Sequence, residues 1–237
     1  MLSAAYFDVD GTLVSTNLLQ PTAYFFANQS STARSIGRIG RALLDSPRMA
    51  LAELQDRRKF NEILFSHYKG ISEDRLHVLG KEIFEDVLKP NIFPGAADLI
   101  RQCKAAGQRV VLITGSLDVT TCHLARYLGA DDWISNRLEL KDRIATGKLR
   151  HPVVAGPEKA NIIVHDAQVH GHDLKKCHAY SDSFSDVPML SVVGKAFCIN
   201  PEKKLQRLAQ AYRWPIIDIL QEAPGTTRST AKKEARQ

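Results

Sequence analysis

The sequence predicts an α/β protein: a parallel-sheet core interrupted, soon after its first strand, by an inserted helical cap. Three observations carry that expectation. The apolar run Ala4-Ala5-Tyr6-Phe7 breaks into Asp8-Val9-Asp10-Gly11-Thr12, a short buried strand running into a turn. From residue 91 onward helical and strand patterns alternate, as in a parallel sheet with crossover helices. Between about Ser15 and Lys89 the periodicity is helical throughout. The expected organisation is a core of residues 1–14 and 91–222, a cap of residues 15–90 and a disordered basic tail of residues 223–237.

Within the cap, Leu76, Leu79, Ile83 and Val87 fall on one helical face behind Ser72 as N-cap. Glu73 and Asp74 stand in the first turn, where the helix dipole favours acids. Leu51, Leu54, Ile63 and Leu64 predict another helix in front of it. In the core, Pro94-Gly95 opens a helix carrying Leu99, Ile100, Cys103 and Ala106, and Gly107 closes it. A strand at Arg109 to Ile113 follows, then a helix from Ser116 to Leu128 that stops at Gly129. Asp132 to Ser135 reads as a strand and Arg137 to Leu149 as a hairpin. A helix from Pro157 leads to strands at Cys177 to Ser181, Lys195 to Ile199 and Pro215 to Ile219, and all strands are expected to share one sheet.

At 237 residues and 44% hydrophobic, the chain can bury one full domain with a smaller insertion. The net charge of +6 is unevenly placed. Arg228, Lys232, Lys233 and Arg236 against Glu234 give the tail +3 of it. The body shows no basic stripe interleaved with aromatics, so nucleic acid is not an expected partner. No apolar stretch approaches the ~20 residues of a membrane span, and Asp8 stands where a signal peptide needs its apolar segment. Cys103, Cys122, Cys177 and Cys198 form no C-x-x-C pair and read as reduced thiols of a cytoplasmic protein. His165, His170, His172 and His178 invite a metal-site reading, but the His170-Gly171-His172-Asp173 cluster precedes its strand and reads instead as a solvated loop. Phe25, Phe26, Phe60 and Phe65 read first as packing between cap helices, and second as the lining of an apolar pocket.

Four polar clusters sit at the C-terminal ends of proposed strands, where open α/β sheets bind ligands. Asp8 and Asp10, two apart on a strand end, project to one side and suit a divalent cation and nucleophilic attack. Thr114, with Gly115 beside a helix start, suits phosphate oxygens, and Lys159 can neutralise a phosphoryl group. Asp182 and Asp186 add two carboxylates four residues apart. Singly, each has a plain explanation: a cap, a solvated lysine, turn residues. The ordered set of four makes coincidence a poor account.

On those residues the chain resembles the haloacid dehalogenase superfamily, in its phosphoserine-phosphatase-like branch, subclass IB. The resemblance covers residues 4 to 220 and includes Asn136-Arg137-Leu138 and Cys198-Ile199-Asn200-Pro201. It implies a Rossmann-like core with a helical cap, and an aspartyl-phosphate phosphatase. Asp8 would be the nucleophile and Asp10 the acid and base. Thr114, Gly115 and Lys159 would hold phosphate. Asp8, Asp10 and Asp182 would hold Mg2+, with Asp186 in support. The implied substrate is a small phosphorylated metabolite such as phosphoserine or histidinol phosphate. Phosphoserine phosphatases carry a glutamate where this chain has Asn17, and a cap arginine for which Arg57 and Arg58 are candidates. The competing expectations are a phosphatase of lipid phosphates at a membrane surface and a catalytically silent phospho-ligand module. Nothing opposes a homodimer.

Overall fold

The computed structural model describes residues 3–28 and 32–220. The basic tail expected at 223–237 lies outside the described residues. Six strands form one parallel sheet in the order β3-β2-β1-β6-β7-β8: β1 (Ser3–Phe7), β2 (Gln108–Leu117), β3 (Asp132–Asn136), β6 (His178–Ser181), β7 (Lys195–Ile199) and β8 (Ile216–Ile217). β1 is central, pairing with β2 on one side and β6 on the other. That is why Ala4, Ala5, Tyr6 and Phe7 are all apolar or aromatic: each is fully buried, on both faces of the sheet. The chain leaves β1 and later returns on either side of it, so a crevice opens at the carboxyl end of β1.

Helices α5 (Ala96–Ala105), α6 (Asp118–Leu128), α7 (Glu158–Val169), α8 (Val187–Ser191) and α9 (Lys203–Tyr212) accompany this sheet. One core layer gathers Phe7, Leu112, Ile100 and Leu124, and the other gathers Tyr6, Ile113, Ile163 and Met189. The two layers follow the alternation of side chains along β1 and β2.

Three sequence expectations need correction. The hairpin β4 (Leu138–Lys141) and β5 (Ile144–Leu149) forms its own two-stranded sheet rather than joining the six. It turns toward the helical block, where Gly70 and Ala145 and then Ala145 and Ile71 exchange backbone hydrogen bonds at 2.8 Å. The helix expected from Ser116 begins at Asp118, because Thr114 to Leu117 stays extended and Leu117 still pairs with Asn136 across a bulge. Leu51 and Leu54 belong to one helix and Ile63 and Leu64 to the next. The break falls at Asp56, whose carboxylate accepts the Arg58 N–H as the N-cap.

Between β1 and β2 stand α1 (Leu19–Ala27), α2 (Thr32–Gln55), α3 (Arg57–Ser66) and α4 (Glu73–Ile83), the last continued by one π-helical turn over Phe84–Leu88. Ser72 caps α4, and Leu76, Leu79 and Ile83 are buried on its inner face. Phe25, Phe26, Phe60 and Phe65 are buried as well, with Phe25 stacked on Tyr68 at 4.2 Å, which makes them packing residues of this block. Among the described residues no helix is long and apolar enough to cross a membrane. Cys103, Cys177 and Cys198 are buried free thiols and Cys122 is half-buried.

Candidate active site

The carboxyl end of β1 sets the first group. The Asp8 N–H donates to the Tyr180 carbonyl at 2.9 Å, so the chain is still tied to β6 as it delivers the Asp8 carboxylate to the crevice floor. Gly11 then turns the chain at φ 84°. A side chain at that position would place its Cβ 2.3 Å from Asp182 Oδ2, so the Asp182 carboxylate lies directly over the Gly11 backbone.

Residues far apart in sequence converge here. Lys159, on the first turn of α7, donates to Asp8 Oδ1 at 2.6 Å and to Asp186 Oδ2 at 2.9 Å. The Ser181 hydroxyl donates to the same Asp186 oxygen at 2.8 Å. Lys159, Asp8 and Asp186 are 4%, 6% and 1% exposed, so an ammonium is held between two carboxylates out of contact with bulk water. Thr12 Oγ1 lies 3.0 Å from Asp8 Oδ2 and 2.7 Å from Asp182 Oδ1, and it accepts the Asp182 N–H at 3.0 Å. Asp10 receives the hydroxyls of Thr114 at 3.2 Å and Ser116 at 3.0 Å on Oδ2. Its Oδ1 is buried with no hydrogen-bond partner among the described residues. Asp8, Asp10, Thr114, Gly115, Lys159, Asp182 and Asp186 thus belong to one crevice.

Three of these groups were unassigned from sequence. Ser116 shares the Thr114 task on Asp10, and the signal was hydroxyls two apart on an extended strand end, which face one way. Ser181 supports Asp186 from the last residue of β6. Asn136, 1% exposed at the end of β3, spends its whole amide on the site frame. Its Nδ2 donates to the Gly115 carbonyl at 2.8 Å, and its Oδ1 accepts the Val154 N–H at 2.8 Å. No spacing rule announces such a clamp. Only its burial identifies it.

Burial governs the electrostatics. It raises the Asp8 carboxyl, an effect the adjacent Lys159 charge opposes. Asp10 is pushed up to about 6 by burial and then by the Asp8 charge, against the hydroxyls of Ser116 and Thr114. Asp182 is pushed up to about 7, again by burial first and Asp8 second. Burial alone would depress Lys159, but the Asp186 and Asp8 carboxylates hold it above its ordinary value, so it stays charged.

The helical block closes over this crevice through α3. A Cβ on Gly115 would come 2.9 Å from Asn61 Nδ2 and 3.3 Å from the Val154 carbonyl, so α3 lies against the bare backbone of that residue. Arg57 stands one turn before Asn61 on the same stripe of α3. Burial lowers its pKa, while the charges of Glu53, Asp186 and Asp8 together raise it above its ordinary value. Arg58 instead folds back on Asp56 at 3.2 Å. The two arginines are therefore distinguished: Arg57 pairs with Glu53 at 2.9 Å, and the Asp186 and Asp8 charges act on it as well. Asn17 Oδ1 accepts the Leu19 N–H at 3.0 Å at the entry to α1. His170 and His172 stack at the far end of α7, near the opposite edge of the sheet, as their order in the chain implied.

The model of the haloacid dehalogenase-like hydrolases matches residues 5–191, a stretch that contains every group described in the crevice. The phosphoserine phosphatase SerB1 of Mycobacterium tuberculosis is 34% identical over 225 residues, covering 92% of this chain and 71% of that protein. A Bordetella pertussis protein of unknown function is similar in structure, with a TM-score of 0.79 and 25% identity over 92% of this chain and 99% of its own. A substrate-bound phosphoserine phosphatase shares the fold at a TM-score of 0.67 and 19% identity, covering 94% of each chain. The chain belongs to the haloacid dehalogenase-like hydrolase family, in its phosphoserine-phosphatase-like branch, and is a hydrolase of the phosphatase type.

Proposed function

We propose that the protein is a Mg2+-dependent phosphomonoesterase that works through a phosphorylated Asp8 on a small phosphate ester. The single observation that carries this reading is Asp10 Oδ1, a buried carboxylate oxygen without a partner among the described residues, beside a nucleophile-grade carboxylate locked to a lysine. Asp8 attacks phosphorus, and the bond from phosphorus to the ester oxygen breaks. Asp10 gives its proton to the departing oxygen, for which a pKa of about 6 is well placed. The resulting carboxylate then takes a proton from the water that attacks the Asp8 phosphoryl group, releasing inorganic phosphate and free Asp8. Lys159, Thr114 and the Gly115 N–H offset the charge on the transferring oxygens, while Asp186 and Ser181 fix where the ammonium stands. Asn136 keeps the Gly115 backbone at the right distance from that centre.

Mg2+ fits the donors present. Thr12 has one hydroxyl proton for the two carboxylate oxygens on it, Asp8 Oδ2 and Asp182 Oδ1, so one of those acids must hold a proton or share a cation with the other. The Asp8 and Asp182 carboxylates with the Asp10 backbone carbonyl form the hard oxygen set that magnesium prefers. When bound, the ion supplies Lewis-acid stabilisation of phosphoryl charge.

The helical block over residues 15–90 acts as a cap domain on a core of residues 1–14 and 91–222. The space between α1, α4 and the Ser116 end of β2 is only about 20 Å3, room for about one water, so a leaving group enters there only if α1 and α4 move apart. Phosphoserine and histidinol phosphate are esters of the proposed class. Arg57 supplies a cation for a second acidic group on the substrate. The Asn17 amide is already used at α1, so an amine would meet no carboxylate there. A phosphate-release screen over amino-acid, histidinol, sugar, nucleotide and lipid phosphates with Mg2+ tests the reading. Asp8→Asn should lower turnover by roughly 10^3-fold or more while the protein stays folded. Wild-type turnover by that variant would end the proposal.

A further inference from the structure

Among the described residues, helix α2 turns three leucines, Leu43, Leu44 and Leu51, away from the protein. It runs over Thr32–Gln55, 24 residues, yet Met49 and Ala52 are its buried side chains among those described. Both lie in its C-terminal half, on the face that also carries Asp45. On the opposite face Leu43, Leu44 and Leu51 are 67%, 82% and 55% exposed. Gly37 and Gly40 have no atom of the described residues within 4 Å of where a side chain would begin, so none of those residues covers the helix there. A helical stretch of about a dozen residues is marginal in water without a packing partner.

The charge pattern says what kind of partner fits. In sequence, the segment before these leucines reads Arg34-Ser35-Ile36-Gly37-Arg38-Ile39-Gly40-Arg41, and Arg48 follows Leu43 and Leu44. Arg41 and Arg48 are exposed, three residues before and four after Leu44, which sets them beside the leucines. The two acids of α2 are already engaged: Asp45 with Arg48 at 3.4 Å and His67 at 3.6 Å, and Glu53 with Arg57 at 2.9 Å. Leucines flanked by arginines on one side of a strongly amphipathic helix match the interface between acyl chains and anionic headgroups. Two copies of this face would bring like charges together, which disfavours self-association.

We propose that α2 is a peripheral docking element that lays Leu43, Leu44 and Leu51 into the surface of an anionic bilayer, with Arg41 and Arg48 on its headgroups. The chemistry at Asp8 does not depend on this contact, so the two readings fail separately. The test is co-sedimentation of the full chain with phosphatidylglycerol vesicles and with phosphatidylcholine vesicles, alongside Leu44→Asp and Leu51→Asp. Hydrolysis of an artificial aryl phosphate and thermal melting of each variant serve as controls. The expected result is binding to phosphatidylglycerol that salt weakens, little binding to phosphatidylcholine, and at least a tenfold loss in both variants at unchanged turnover and melting. No binding to either vesicle overturns the proposal. Binding that survives both aspartates but disappears when residues 221–237 are removed overturns it too, as does a concentration-dependent dimer that Leu44→Asp dissociates.

Discussion

The crevice and helix α2 solve opposite problems with the same kinds of residue. In the crevice, charged groups from β1, α7 and the loop after β6 are buried and linked, so each is held by another that arrives from far along the chain. On α2, arginines and leucines stand exposed and depend on little else in the chain. The contrast separates two ways of carrying function. One is a network that fails as a unit, and the other is a surface whose residues can be changed singly.

Removing Lys159 should break that contrast most visibly. Lys159→Ala leaves the Asp8 and Asp186 carboxylates buried without their cation, a loss of about 3–5 kcal/mol by analogy with other buried pairs. Urea unfolding should show the drop, and activity should vanish with it. An unchanged unfolding midpoint would mean that the crevice is not a linked unit.

A smaller effect is expected from pH and metal. Burial and then the Asp8 charge push the Asp182 carboxyl up to about 7, against 3.8 as its ordinary value. The folded chain therefore keeps a proton that the unfolded chain has released, and stability falls as pH rises through that window. Mg2+ held as proposed would offset the carboxylate charge, so the rise in melting temperature on adding it should be larger near pH 8 than near pH 5. Equal rises at the two values would remove Asp182 from the ion's cradle.

The smallest effect tests whether the cap contributes singly. Arg57→Ala should raise KM by about tenfold for an ester with a second acidic group and leave kcat nearly unchanged, which is the mark of uniform binding. Arg58→Ala should change neither, since its guanidinium is turned to Asp56. Equal effects from both would show that the orientation of α3 does not select between them.

How much was legible in the sequence divides along the same line. The strand ends carrying Asp8, Thr114 and Asp182 could be read because a short continuous apolar run and an acidic or hydroxyl stop are local signals. The crowding of Lys159 between Asp8 and Asp186 was not local, and only the ordered set of clusters suggested it. Thr114 was placed at a helix start, whereas pairing with β3 keeps the strand extended as far as Leu117. The hairpin of β4 and β5 was assigned to the main sheet because alternation reports a strand and says nothing of its partner. The break at Asp56 went unread because apolar spacing continues across it, although an aspartate capping two arginines was there to be noticed.

The central place of β1 has a bearing on how the molecule comes to exist. Ser3 pairs with Gln108 and Ala5 with His178, so both neighbours of this strand are made more than a hundred residues after it. On the ribosome Ala4 to Phe7 must wait, apolar and unpaired, while the whole helical insertion is synthesised, and contacts of such long range form slowly. Asp8 is translated early, and its surroundings are completed only when β6 docks.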